Sequence, residues 1–134
     1  MIEGFEIGHH TADGDGWLTG TTVVLARAGA VGGVDVRGGG PGTRETDLLD
    51  PRAVIEQVHA VVLTGGSAYG LATADGVMQE LEARRLGFPV GPSPDEVVPI
   101  VPAAVCAVVP ETDAMSGFPF VYAVMSRPAS RQAP

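Results

Sequence analysis

Ala60-Val61-Val62-Leu63-Thr64-Gly65-Gly66-Ser67-Ala68-Tyr69-Gly70-Leu71 is the stretch on which the fold turns. Its first five residues are apolar or β-branched without alternation, the pattern of a strand covered on both faces and therefore central in a sheet. Gly65-Gly66 interrupts that run, and Leu71, Ala74, Val77, Met78 and Leu81 then recur at the spacing of an amphipathic helix. The helix is predicted to stop at Gly87, after Arg84 and Arg85. Strand, glycine turn and helix together define the chain as α/β.

Upstream, residues 2 to 8, 20 to 26 and 30 to 36 read as three short strands of a meander, with Gly14-Asp15-Gly16 as a turn. The segment from Arg37 to Asp47, with Gly38-Gly39-Gly40-Pro41-Gly42 inside it, suits neither a helix nor a sheet interior and is read as a loop. Two arginines and two acids around it, Arg37, Arg44, Glu45 and Asp47, mark it as a functional or interface loop. Asp50-Pro51 predicts a helix start, with Val54, Ile55 and Val58 on one face and an end near Gln57. Downstream, Gly87 to Pro94 is a proline-rich loop and Val97 to Val101 a short strand carrying Pro99. No periodicity is apparent from Pro102 onward.

The 134 residues suffice for one modest domain, and 45% hydrophobic with 18% charged residues is a globular composition. No apolar run approaches the roughly 20 residues of a membrane span, and Met1 to His10 lacks the basic and apolar regions of a secretory signal. A cytoplasmic location is expected. One cysteine, Cys106, excludes an internal disulfide. A net charge of -8 with scattered arginines excludes a nucleic-acid footprint. Lysine and asparagine are absent, a bias expected of GC-rich coding.

Gly65-Gly66-Ser67 would place backbone N–H groups and a hydroxyl at a helix start, a setting for an anion or oxyanion. The plainer reading is that Ser67 caps the helix. The G-x-S-x-G nucleophile elbow fails because Tyr69 holds its fifth position and glycine arrives only at Gly70. His9, His10 and His59 all precede Ser67, against the order of an α/β-hydrolase triad. His9 and His10 with Asp13 and Asp15 read as solvated loop residues, so no metal site is expected. Neither glycine cluster is a nucleotide motif, and no cofactor is expected.

Several blocks, in order, resemble peptidase family S58. They are Leu18-Thr19-Gly20-Thr21-Thr22-Val23-Val24, Gly33-Val34-Asp35-Val36-Arg37-Gly38-Gly39, Pro41-Gly42-Thr43-Arg44-Glu45-Thr46-Asp47-Leu48-Leu49, Leu63 to Leu71, Ala74-Asp75-Gly76-Val77-Met78 and Val98 to Val105. The resemblance spans about residues 2 to 105. It implies an α-β-β-α sandwich, incomplete in this chain, shared with ornithine acetyltransferase. It further implies a precursor that cleaves itself before a Ser or Thr, which then acts as nucleophile with its own α-amine as base. An α-amine with a pKa near 8 is partly neutral at neutral pH and can take the hydroxyl proton.

Two departures limit what is carried over. The family nucleophile follows an Asn in a C-terminal segment, and this chain has no counterpart, so no catalytic residue is assigned. The family's active-site tyrosine falls at Ala107, and the tail from Cys106 to Pro134 diverges as a frame-changed reading would. Within the resemblance, Gly65, Gly66, Ser67 and Tyr69, together with Arg37 and Arg44, are the candidates for shaping a substrate pocket. Three readings stay open: an inactive hydrolase fragment, an α-chain that joins a separate nucleophile-bearing chain, and a non-catalytic anion-binding domain. The expected partners are a small peptide or amide substrate, that second chain, and further copies in a family-like homo-oligomer.

Overall fold

The computed structural model describes residues 2–15 and 17–106, and the backbone of 121–126. Val58–Thr64 (β4) is the central strand that its composition requires, and Val58 to Val62 are all buried. It lies between Trp17–Val36 (β2), antiparallel, and Ala103–Val105 (β7), parallel. Glu6–Gly14 (β1) flanks β2, and Thr43–Arg44 (β3) flanks β7, so the sheet runs β1-β2-β4-β7-β3. The short pair Phe88–Pro89 (β5) and Val97–Val98 (β6) stands apart.

The helical segment divides into Ser67–Gly70 (α1) and Thr73–Ala83 (α2). Ala74 and Leu81 are buried against Ala60, Val62, Val101 and Ala103, with Leu71, Val77, Met78, Val23 and Leu25 around them. The predicted apolar face is therefore the face that packs. Its end differs from expectation: Arg85, at φ 60, takes the left-handed position. Leu86 N–H bonds the Leu81 carbonyl at 2.9 Å and Arg85 N–H bonds Glu82 at 2.8 Å, a Schellman closure reached before Gly87. Gly87 serves a close approach instead, because a Cβ there would come within 2.7 Å of the Val98 backbone.

The meander is simpler than expected. Residues 20 to 26 and 30 to 36 belong to one strand, β2, 20 residues long, which bends where its register with β4 shifts between Leu25 and Ala30. Gly29, at φ 73, sits in that bend, and a Cβ on it would meet the Gln57 side chain. A bulge therefore replaces the connection expected between two strands. The first strand is also displaced, to Glu6–Gly14, with Gly14 paired to Trp17. His9 and His10, expected in a loop, are strand residues.

The helix expected after Pro51 does not form. Thr46–Leu49 is a 3-10 turn, Asp50 takes the Arg52 N–H on its carboxylate at 2.8 Å, and Val54 is 90% exposed. Seven residues are too few to offset helix nucleation once Val58 is drawn into β4. After Val98 the chain is not a strand as far as Val101, because Pro99 and Pro102 cannot donate to a ladder. It is held to β4 by His59 N–H to the Ile100 carbonyl at 2.9 Å and Val62 N–H to Pro102 at 3.0 Å. Two strands also lie where no periodicity was legible. β7 is short and its alanines are buried, which removes alternation, and Val121–Ser126 (β8) pairs with Val31 to Val36 of β2. Most of the segment from Cys106 to Pro134, expected to diverge and including Ala107, lies outside the described residues.

His59 is buried, and its Nδ1 accepts the Ile100 N–H at 3.3 Å. Burial holds the imidazole below its ordinary value of 6.5, so the folded state binds fewer protons than the unfolded one as pH falls through that value. Stability is therefore expected to be retained above about pH 6.5 and to drop progressively below it. Thermal melts between about pH 7.5 and about pH 5 should show a smaller loss for His59→Asn, whose amide oxygen can still accept the Ile100 N–H.

Candidate functional site

The glycine turn stands at the carboxyl ends of the parallel pair β4 and β7, the end of an α/β sheet where ligands bind. Gly65 N–H bonds the Gly20 carbonyl at 2.8 Å, and Cys106 N–H bonds the Thr64 carbonyl at 2.8 Å. Gly42 accepts the Val105 N–H at 2.9 Å, which brings the middle of the Arg37 to Asp47 loop to the same edge. Exposed Cys106, Gly42 and the turn are thus neighbours along one end of the sheet.

Each glycine of the turn answers a separate constraint. A Cβ on Gly65 would strike the Thr19 hydroxyl, and one on Gly70 would strike the Gly65 carbonyl oxygen. Gly66, at φ 83, is left-handed and precedes α1 without a side-chain cap. Ser67 follows it at φ 56, so two consecutive left-handed residues turn the chain from strand to helix. This corrects the capping reading: Ser67 is the first residue of α1, is exposed, and makes no side-chain cap bond. A non-glycine residue held there stores strain of about 1 kcal/mol or more.

Beneath the turn lies a row of hydroxyls that the sequence reading passed over. Thr21 and Thr64 are cross-strand partners with hydroxyl oxygens 2.9 Å apart. Thr64, 3% exposed, donates to the Gly65 carbonyl at 3.1 Å, so Thr21 donates to Thr64. Thr73 donates to the Gly70 carbonyl at 2.8 Å. These bonds orient carbonyls of the turn inward. The alternation of Thr19 and Thr21 along β2 was the available signal, since alternate strand residues share a face.

The other candidates are placed as follows. Tyr69 is 92% exposed on α1, beside Ser67. Arg44 pairs with Asp75 at 2.5 Å and reaches Met78 Sδ at 3.2 Å, tying β3 to α2. It borders an open groove of about 380 Å³ with Asp75, Met78, Glu82, Val97 and Pro99. Arg37 pairs with Asp35 at 2.8 Å beyond the end of β2, whereas the turn touches Thr19 and Gly20 near its start. The structure therefore gathers Gly65, Gly66, Ser67 and Tyr69 and leaves both guanidinium groups elsewhere.

His59 lies at the opposite end of β4 from Ser67, and His9 Nδ1 is 2.6 Å from the Thr22 hydroxyl. Among the described residues no group of three or more His, Cys, Asp or Glu is placed to hold a metal ion. No described helix is long and apolar enough to cross a membrane.

The described residues form a mixed α/β architecture with an open glycine turn at the carboxyl ends of two parallel strands. The chain belongs to peptidase family S58, whose family model matches residues 2–126 and so runs past Val105 through β8. It is 53% identical over 110 residues to an uncharacterized aminopeptidase of Mycobacterium tuberculosis, covering 78% of this chain and 31% of that protein. An uncharacterized aminopeptidase of Mycobacterium leprae is 56% identical over 110 residues, covering 78% and 30%. The chain thus spans about a third of the length of the curated relatives it matches.

Two substitutions at the turn should act in opposite directions in urea denaturation. Ser67→Gly relieves the left-handed strain and is expected to stabilise by about 1 kcal/mol. Gly70→Ala forces the Gly65 carbonyl away and is expected to destabilise by more than about 1 kcal/mol.

Proposed function

We propose that this chain is the N-terminal part of an S58-type aminopeptidase or related amide hydrolase, and that it forms one wall of the substrate pocket with the Gly65 to Gly70 turn. The observation that carries this reading is the turn itself, a family block standing open at the carboxyl ends of β4 and β7. Exposed Ser67 and Tyr69 border the site and shape it. Acyl transfer is assigned to a Ser or Thr nucleophile of the N-terminal type, carried on a segment that these residues do not include. By itself the chain binds and positions but does not turn over substrate.

The layering supports an α-β-β-α sandwich. Helix α2 covers one face of the sheet, while Val34 from the far half of β2 and Leu49 border Val61 on the other, around a hollow of only about 10 Å³. In this reading β2 and β8 begin the second sheet, and the missing part of the sandwich brings the nucleophile to the turn.

The test is hydrolysis of an aminoacyl p-nitroanilide and a β-alanyl amide by the purified chain, alone and mixed with a C-terminal chain from a family member. No turnover alone and turnover in the mixture is the expected result. Turnover by the chain alone would overturn the assignment of the nucleophile to another segment. Affinity for small carboxylates with no hydrolysis in either case would favour an anion-binding domain.

A further inference from the structure

A buried hydroxyl ends the central strand. Thr64 is the last residue of β4 and is 3% exposed, in a run whose other buried members are apolar except for His59. Valine has the same shape and would fill the site without the cost of burying a polar group. Both halves of the threonine are engaged instead. Its methyl faces Gly70, where a Cβ would stand 3.2 Å from it, and its hydroxyl donates to the Gly65 carbonyl at 3.1 Å. The same oxygen accepts from the hydroxyl of Thr21, its cross-strand partner on β2, at 2.9 Å. Branching at Cβ leaves Thr64 few rotamers, so the methyl contact and the Thr21 donor together fix the direction in which it donates.

That bond controls one peptide. The peptide before it, Thr64–Gly65, is fixed from both sides, its carbonyl by the Cys106 N–H at 2.8 Å and its N–H by the Gly20 carbonyl at 2.8 Å. The next, Gly65–Gly66, joins two residues without side chains, which have the widest choice of backbone angles. Among the described residues the Gly65 carbonyl takes no backbone N–H, so the Thr64 hydroxyl is its donor. In a trans peptide the C=O and N–H point in opposite directions. With the carbonyl drawn toward Thr64 and Gly70, the Gly66 N–H points away from both.

We propose that Thr64 and Thr21 are positioning residues of the pocket wall. The relay from the Thr21 hydroxyl through the Thr64 hydroxyl to the Gly65 carbonyl holds the Gly65–Gly66 peptide in the orientation that turns a donor outward and keeps an acceptor back. This rests on the reading of the turn as a wall of the substrate pocket, and on bonds made within the chain whatever else covers the turn. A hydroxyl that accepts one bond donates the next more strongly, so the two threonines act as a unit. Without them the peptide is free to rotate, and the wall presents N–H and C=O in mixture to a bound amide. Neither threonine touches the reacting atoms; each acts through Gly65.

Nuclear magnetic resonance of the full chain, labelled with carbon-13 and nitrogen-15, reads the relay without any activity. The Thr64 hydroxyl proton should give a resonance in slow exchange with water, which Thr64→Val removes. The same substitution should move the Gly65 carbonyl carbon upfield, as loss of a hydrogen bond does, and shift the Gly66 amide nitrogen. Thr64→Ser, which keeps the donor, should return both. Thr21→Val leaves the Thr64 donor in place and should move the same resonances in the same direction by less, with Thr21→Ser returning them. In the mixture with a C-terminal chain from a family member, Thr64→Val should lower kcat about tenfold with KM changed by less than about twofold, and Thr64→Ser should recover most of the loss. Gly65 and Gly66 resonances unmoved by Thr64→Val, or not returned by Thr64→Ser, would overturn the relay. Resonances that move while kcat stays the same would overturn the positioning role. No turnover by the unmodified mixture would sink the pocket reading and leave the resonances to decide the relay. If Thr64→Val does not fold, Thr21→Val against Thr21→Ser decides by the same two resonances.

Discussion

The structure depends on one strand that must be covered on both faces. Apart from His59, Val58 to Thr64 presents apolar or β-branched side chains to each side of the sheet with little alternation. Exposing either face would forfeit on the order of 25 cal/mol for each square ångström of apolar surface. Helix α2 answers on one side, through Ala74 and Leu81. On the other side the bend in β2 brings Val34 toward Val61, with Leu49 and Ala104 beside them. Helix register, the Gly29 bend and the position of β7 can all be understood as ways of covering β4.

The same strand fixes the candidate site. Where β4 ends, its buried Thr64 binds laterally to Thr21 and forward to Gly65, so the turn begins from a hydrogen-bonded base. Gly65 and Gly70 have no room for a side chain, and Gly66 with Ser67 reverses the direction of the backbone. A turn constrained from below and open above holds Ser67 and Tyr69 toward solvent without using them in the core. Strain at Ser67 is tolerated because the bonds around it over-determine its conformation.

Aggregate features of the sequence were legible where the periodicity had a single interpretation. Ala60 to Thr64 as a central strand, the apolar face from Leu71 to Leu81 and the glycine turn at Gly65 were all readable, because an unbroken apolar run and a helical repeat each admit one arrangement. Short segments were not. Val54 and Ile55 looked like a helix face but lie in an irregular connection, and His9 and His10 looked like loop residues but continue β1. In such stretches local preference is worth a fraction of a kcal/mol per residue, and a neighbouring strand that offers backbone hydrogen bonds outweighs it.

By itself, then, the sequence determined the class of the chain, its family resemblance and the position of the glycine turn, since these rest on residue types and spacing alone. Tertiary structure decided which candidates share a place. It set Ser67 and Tyr69 at the turn, committed Arg44 to Asp75 and Arg37 to Asp35, and added Thr19, Thr21 and Thr64 beneath the glycines. The reason is that side chains distant along the chain meet only through strand order and register, and in β2 that register shifts at a bend between Leu25 and Ala30.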